Sequence, residues 1–286
     1  MTRPDIAVAH SVAVLREAVA GWRARGERVG LVPTMGAIHD GHLALAHAAR
    51  AQCERVVASL FINPRQFGAN EDLSAYPRSE AADLAAFASA GVDLVFMPSA
   101  DEMYPPGFST TIRVDEVSEG LCGAFRPGHF EGVATVVAKL LLQALPDAAF
   151  FGEKDYQQLM VVRRLARDLD IPVRIEGVPT VREADGLALS SRNVYLSPEE
   201  RRTAALLNRV LRDGAKALAA HPNDVAAVLA QGVDTLQAGG FVVEYLELRC
   251  AADLAPMRRL TGPARLLVAA RLGRTRLIDN IPVAMP

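Results

Sequence analysis

Up to about residue 180 the chain alternates short apolar runs with stretches of helical period, and that alternation limits the fold more than any other feature. The runs at 29–32, 55–62, 92–97, 148–151 and 173–178 have the length and composition of buried strands. Stretches of helical period at 42–52, 80–90, 130–145 and 156–168 fall between or after them. Strand followed by helix, repeated, predicts an α/β fold: a Rossmann-like parallel sheet with helices on both faces. In such sheets ligands bind beyond the carboxyl ends of the strands, so the polar residues just after each strand matter most.

Beyond about Thr180 the texture changes. Ser197, Pro198 and Glu200 read as a helix start, with serine as cap, proline in the first turn and glutamate closing a capping box. One long helix is expected from there to about Ala220 and a second over 223–238, followed by strands at 242–249, 265–272 and 275–281. The division expected is a Rossmann-like ligand-binding domain at 1–180 and a smaller C-terminal α+β lid domain at 181–286.

Composition narrows the class. Half of the 286 residues are hydrophobic and 22% are charged, which is enough apolar material for a substantial core. A formal net charge of -2 gives no electrostatic footprint for a nucleic-acid partner. Cys53, Cys122 and Cys250 are far apart and form no CxxC pair, so neither a disulfide framework nor a zinc site is expected. The first nine residues hold charges and a proline rather than an apolar signal region, and later apolar stretches such as 133–138 are short. No membrane partner and a cytoplasmic location are the expectation.

The segment PTMGAIHDGH at 33–42 follows the first predicted strand and opens a helix. Backbone N–H groups and the positive end of the helix dipole would face a ligand there, with Gly36 and Gly41 allowing close approach. His39 and His42, three apart, can point the same way and supply charge or hydrogen bonds to a triphosphate. Taken alone, the same residues could be surface histidines or a metal-binding pair. Gln66, past the second long strand, can hydrogen-bond a hydroxyl or carboxylate or can be an ordinary loop amide. Lys154 is a compact cation where strand turns to helix, and Asp155 beside it fits a helix cap or a ribose or metal contact. Ser190, Ser191 and Arg192 follow a flexible Asp185–Gly186 turn and can grip phosphates. Asp72 and Asp83 are acids that Mg²⁺ could use, although such residues near a helix are commonly just solvated; no metal ligand is assigned.

The first segment resembles the HIGH motif of adenylating nucleotidyltransferases, and in its full length it is similar to the pantothenate synthetase family. The resemblance continues through FINPRQFG at 61–68, EDLSAYPR at 71–78, FRPGHFEGV at 125–133, FGEKDYQQL at 151–159 and LSSRN at 189–193. Ile38 is the one departure at the motif positions, where leucine is usual. The family implies a ligase of coenzyme A biosynthesis that condenses (R)-pantoate with β-alanine, consuming ATP and releasing AMP and diphosphate through a pantoyl adenylate. It implies that the domain at 1–180 binds both nucleotide and pantoate. By resemblance, Met35, Gly36, His39, Gly41, His42, Gly152, Glu153, Lys154, Asp155, Val181, Leu189, Ser190, Ser191 and Arg192 bind ATP. Gln66 and Gln158 bind pantoate, Gln66 also lies at the β-alanine site, and His42, His39 and Lys154 are catalytic. Arg126 and His129 are expected as accessory phosphate or dimer-contact residues. The family further implies Mg²⁺ with ATP and a homodimer.

Two other readings stand beside this one. A nucleotidyltransferase acting on a phosphate acceptor shares the front motif but should lack the segments at 63–68 and 152–158. A non-catalytic nucleotide-binding module could use the same fold.

Overall fold

The computed structural model describes residues 6–68, 73 and 79–285. In chain order its elements are β1 (Ala7–Ala9), α1 (Val12–Arg23), β2 (Val29–Thr34), α2 (Asp40–Gln52), β3 (Arg55–Leu60), α3 (Glu80–Ser89), β4 (Leu94–Phe96), α4 (Ala100–Met103), α5 (Leu121–Phe125), α6 (His129–Ala144), β5 (Ala148–Gly152), α7 (Tyr156–Asp168), β6 (Arg174–Val178), α8 (Pro198–Ala204), α9 (Leu206–Ala220), α10 (Val225–Ala238), β7 (Val242–Cys250), β8 (Ala264–Leu272) and β9 (Thr275–Val283). They fall into two compact units. The first comprises Met1–Ser118, Arg126–Glu153 and Val161–Pro179; the second comprises Glu119–Phe125, Lys154–Met160 and Thr180–Pro286.

The first unit is built on a parallel six-stranded sheet of order β1-β4-β3-β2-β5-β6. Alternation along the strands sends Val32, Val56, Ala58, Val95 and Phe150 to one face, where they pack with Leu45, Ala49 and Phe87 of α2 and α3. Leu31 and Val57, at the alternate positions, are equally buried on the opposite face, and α1 and α6 pack against β2. Burying side chains of this size contributes roughly 1.5–3 kcal/mol each before conformational entropy is counted. At the amino ends of the strands, Arg55 pairs with both Glu27 and Asp93, while the Asp93 and Asp147 carboxylates accept the Val56 and Val29 amides. Charge that holds the strand starts in register is thereby kept away from the strand carboxyl ends. β2 neighbours β3 on one side and β5 on the other, so chain direction across the sheet reverses between β2 and β5. That reversal makes the crevice beyond their carboxyl ends the favoured ligand position.

The second unit holds an antiparallel sheet, β7-β8-β9, against which α9 and α10 pack. Its core is Leu207, Leu211, Leu218, Leu236, Leu246, Leu266 and Val268, among others. Ser197 and Glu200 form the expected capping box with Pro198 in the first turn of α8. The single long helix expected after it is instead two, α8 and α9, divided at Ala205.

Candidate active site

In the first unit, β2 ends at Thr34, whose hydroxyl donates to the Ser59 carbonyl at 2.6 Å and so ties the exit of β2 to β3. Gly36 (φ 92°) and Ala37 (φ 53°) then take left-handed backbone conformations. Glycine is needed at 36, since a Cβ there would stand 3.0 Å from Asp83 Oδ2. The Ala37 amide donates to Asp83 Oδ2 at 3.0 Å and the Ile38 amide to Asp83 Oδ1 at 2.8 Å. Of the backbone amides expected to face a ligand along 33–42, those of Ala37 and Ile38 instead meet a side-chain carboxylate of α3. Both oxygens of Asp83 serve this turn and the side chain is buried, so it is not simply a solvated acid.

His39 is the N-cap of α2. Its Nδ1 accepts the Gly41 amide at 3.1 Å, and Nδ1 of His42 accepts the His39 amide at 3.3 Å, a capping box made of two histidines. An imidazole nitrogen that accepts carries no hydrogen, so both neutral rings are Nε2–H tautomers. The helix start thus spends one nitrogen of each ring on its own amides and assigns the donor to the other.

Gln66 lies in a 3-10 turn, Pro64–Gln66, after β3. Asn63, 1% exposed, donates through Nδ2 to Gln66 Oε1 at 3.0 Å and to the Gly132 carbonyl at 3.1 Å. Tyr104 donates its hydroxyl to Asn63 Oδ1 at 2.8 Å, which fixes the asparagine amide and through it that of Gln66. Gln66 therefore presents Nε2 as a donor, 3.0 Å from Met35 Sδ. Burial pushes the Tyr104 phenol up to about 12, with Arg65 opposing the shift, so it stays a donor at neutral pH. His129 is buried. Arg126, which can only donate, lies 2.9 Å from its Nε2, so Nδ1 carries the hydrogen and donates to the Gln66 carbonyl at 2.9 Å. His129 thus braces the backbone of Gln66, a different task from the phosphate or dimer contact expected.

β5, beside β2, ends in Gly152, and a 3-10 turn, Glu153–Asp155, runs directly into α7. That continuity leaves Asp155 inside the helical run rather than at its cap. Gly152 and Glu153 group with the first unit, whereas Lys154, Asp155 and the first turns of α7 group with the second. There, Lys154 Nζ lies 3.7 Å from Asp155 Oδ2. The Lys154 carbonyl accepts from Asn280 Nδ2 at 2.9 Å, and Asn280 Oδ1 accepts from the buried Arg265, stacked 4.0 Å over the Tyr156 ring. The two glutamines of α7 divide their work. Gln157 is buried and receives the Cys122 amide while donating to the Glu119 and Gly120 carbonyls. Gln158 is half-buried.

Val181 and Leu189 face each other across a short hairpin, the Leu189 amide donating to the Val181 carbonyl at 3.0 Å. Arg182 anchors it through a bidentate pair with Asp279, which is buried. At the hairpin tip, expected as a flexible turn, Arg201 pairs with both Glu183 and Asp185, and Asp185 also accepts the Leu187 amide. Ser190 caps a 3-10 helix, Ser191–Tyr195, by accepting the Arg192 amide at 3.3 Å. Asn193 donates to the Ala188 carbonyl, while its buried Oδ1 has no hydrogen-bond partner among the described residues.

The family described as pantoate-beta-alanine ligase matches this chain over residues 7–282. The chain belongs to that family. The pantothenate synthetase of Paramagnetospirillum magneticum is 58% identical over 283 residues, covering 96% of this chain and 97% of that protein. That of Chelativorans sp. is 59% identical over 283 residues, covering 99% of each. Among solved structures, pantothenate synthetase from Thermus thermophilus superposes with a TM-score of 0.92 at 49% identity, over 98% of this chain and all of that one. Pantoate-beta-alanine ligase from Francisella tularensis, complexed with β-γ ATP and β-alanine, gives 0.82 at 32% identity, over 96% and 97%.

Several residues that shape the candidate site have roles the motif readings did not assign. Asn63, Tyr104 and Asp83 set the posture of Gln66 and of the histidine turn, and Asn280 does so for the Lys154 backbone. Asn63 stands within the segment that contains Gln66, but its role shows only once Tyr104, far along the chain, is placed beside it. Asp72, with most of the segment at 71–78, lies outside the described residues. Among the described residues no three His, Cys, Asp or Glu side chains are grouped to hold a metal ion. Among the described residues, no helix is long and apolar enough to cross a membrane.

Proposed function

We propose that the chain carries out its family's ligation in two steps, with the histidine turn acting on the nucleotide and Gln66 on the acid. The family joins pantoate to β-alanine, and this chain is such a ligase. An amine does not displace an oxide-like leaving group from a carboxylate at useful rates. In the first step a pantoate carboxylate oxygen bonds to the α-phosphorus of ATP and the bond to the β-phosphate oxygen breaks, releasing diphosphate. In the second, the β-alanine amine bonds to the acyl carbon, AMP leaves with the bonding pair, and the nitrogen loses a proton.

The observation that carries this reading is that Nδ1 of both His39 and His42 accepts a backbone amide at the head of α2, which leaves Nε2–H as the donor of each neutral ring. Donors fixed before substrate arrives stabilise charge developing on phosphate oxygens without reorganisation. Lys154 supplies a compact cation, and Ser190, Ser191 and Arg192 supply hydroxyls and a guanidinium. Gln66 donates Nε2–H to pantoate, with Gln158 as the second amide for it, and Gln66 also borders the β-alanine position. Met35, Gly36, Gly41, Gly152, Glu153, Asp155, Val181 and Leu189 complete the nucleotide contacts. Mg²⁺ enters as the MgATP co-substrate, its positive charge neutralising the triphosphate. The homodimer, the cytoplasmic location and the absence of a nucleic-acid partner belong to the same proposal, supported by family membership and charge balance.

The test is isotope exchange between labelled diphosphate and ATP with Mg²⁺ and pantoate present and β-alanine omitted. Exchange that requires pantoate is expected. Its absence from folded protein, with AMP released only after β-alanine is added, would remove the stepwise route.

A further inference from the structure

The turn between β2 and α2 is wrapped around a carboxylate supplied by α3. Successive amides at Ala37 and Ile38 converge on Asp83, and Gly36 and Ala37 both hold positive φ where the backbone bends around it. Asp83 is 5% exposed. Alanine rarely holds a left-handed conformation by itself, so the turn stands because something over-determines it. Asp83 does so with both oxygens. One residue further on is His39, so the angle at which α2 begins, and with it the aim of both imidazoles, follows from the turn.

We infer that Asp83 is a positioning residue for the ligation. It holds the 36–38 turn so that Nε2–H of His39 and of His42 meets the phosphates. This rests on the reading above that the two histidines act on the nucleotide. The consequence is specific. Loss of Asp83 should damage turnover while sparing pantoate recognition, because Gln66 is held separately by Asn63 and His129.

The experiment compares full-length wild type, Asp83→Asn, Ala37→Gly and the double variant Asp83→Asn/Ala37→Gly. Asparagine keeps one acceptor oxygen but turns an N–H group toward the second amide. Displacing a catalytic group by about 1 Å can cost roughly 10²-fold, so Asp83→Asn is expected to lower kcat about 10- to 100-fold. The KM for pantoate and the Mg²⁺ concentration for half-maximal rate should stay near wild type. Glycine at 37 adopts the left-handed conformation without penalty, and combined with Asp83→Asn it should recover turnover several-fold. If Asp83→Asn alone does not fold, the double variant measured against Ala37→Gly should show the kcat loss at unchanged pantoate KM. Wild-type kcat in folded Asp83→Asn would overturn the inference. So would a loss erased by excess Mg²⁺, which would make Asp83 a metal ligand, or a proportionate rise in pantoate KM without rescue by glycine. A His42→Ala control separates the two levels: undiminished turnover there defeats the reading of the histidines, whatever Asp83→Asn does.

Discussion

The rings of His39 and His42 stand 4.1 Å apart between centroids, tilted by 33°. Each Nδ1 accepts a backbone amide from the start of the helix, so the pair is both a helix cap and a set of two oriented Nε2–H donors.

Cap and chemistry can be separated by substitution. His42→Ala should lower diphosphate–ATP exchange by roughly 10²- to 10⁴-fold, the scale for losing a positioned acid-base group or charge stabiliser. His39→Asn keeps a good N-cap residue, so its cost in stability should be only about 0.5 kcal/mol, yet it deletes Nε2–H and should still depress exchange. Denaturant unfolding and exchange measured on one preparation check both. Normal exchange in His39→Asn would reduce His39 to a cap.

Gln66 yields a prediction about which ligand suffers. Its amide is turned by Asn63 so that Nε2 donates, and a hydrogen bond to a charged group contributes about 1.5–3 kcal/mol. Gln66→Ala should therefore weaken pantoate binding about 10- to 100-fold by that energy and leave ATP nearly unaffected. Gln66→Glu should be worse, since a carboxylate would meet the carboxylate of the acid. Calorimetric titration with each ligand decides it, and equal weakening of both would remove Gln66 from the pantoate site.

How much of this was legible beforehand depended on sequence distance. The strands at β2, β3 and β5 announced themselves as apolar runs, and the capping box at Ser197 and Glu200 is local by nature. β1 did not: it has three residues, and it pairs with β4, which lies far along the chain. The histidines, Gln66 and Lys154 were legible because they stand at strand ends in dense motifs. Asp83 was not, because its meaning comes from two amides 46 and 45 residues away. The amides of Ala37 and Ile38 carry no sequence mark telling that a side-chain carboxylate occupies them. The Asp185–Gly186 turn looked flexible by composition, and only the arrival of Arg201 from α8 shows that it is braced.

Tyr104 sets a limit at alkaline pH. Its phenol is held up to about 12 by burial, whereas the unfolded chain titrates near the ordinary value of 10. Between those values the unfolded state has lost a proton that the native state keeps, so stability falls as pH rises from 10 toward 12. Wild type should lose denaturant resistance in that window more steeply than Tyr104→Phe. Below about pH 10 the hydroxyl remains a donor to Asn63, and the KM for pantoate should not change on account of Tyr104. Parallel stability curves for wild type and Tyr104→Phe above about pH 10 would contradict this.

The sharpest steric test is Gly132, in the first turns of α6. A Cβ there would lie 2.3 Å from the Arg65 carbonyl oxygen and 2.7 Å from the Gln66 Cα. Both are backbone atoms, so no side chain can swing aside; either α6 or the 65–66 turn must move by about 1 Å to reach ordinary contact distance. Overpacking of this kind typically costs about 1–3 kcal/mol. The displacement would also strain two contacts that place Gln66, the Asn63 bond to the Gly132 carbonyl and the His129 bond to the Gln66 carbonyl. Gly132→Ala should therefore fold with a lowered melting temperature and lose roughly 10- to 100-fold in kcat/KM for pantoate. ATP affinity should hold, because the histidine turn is braced independently by Asp83. A variant with wild-type pantoate saturation would show that the 65–66 turn can shift without moving the Gln66 amide, and the chain of contacts from α6 to the substrate would be broken at that link.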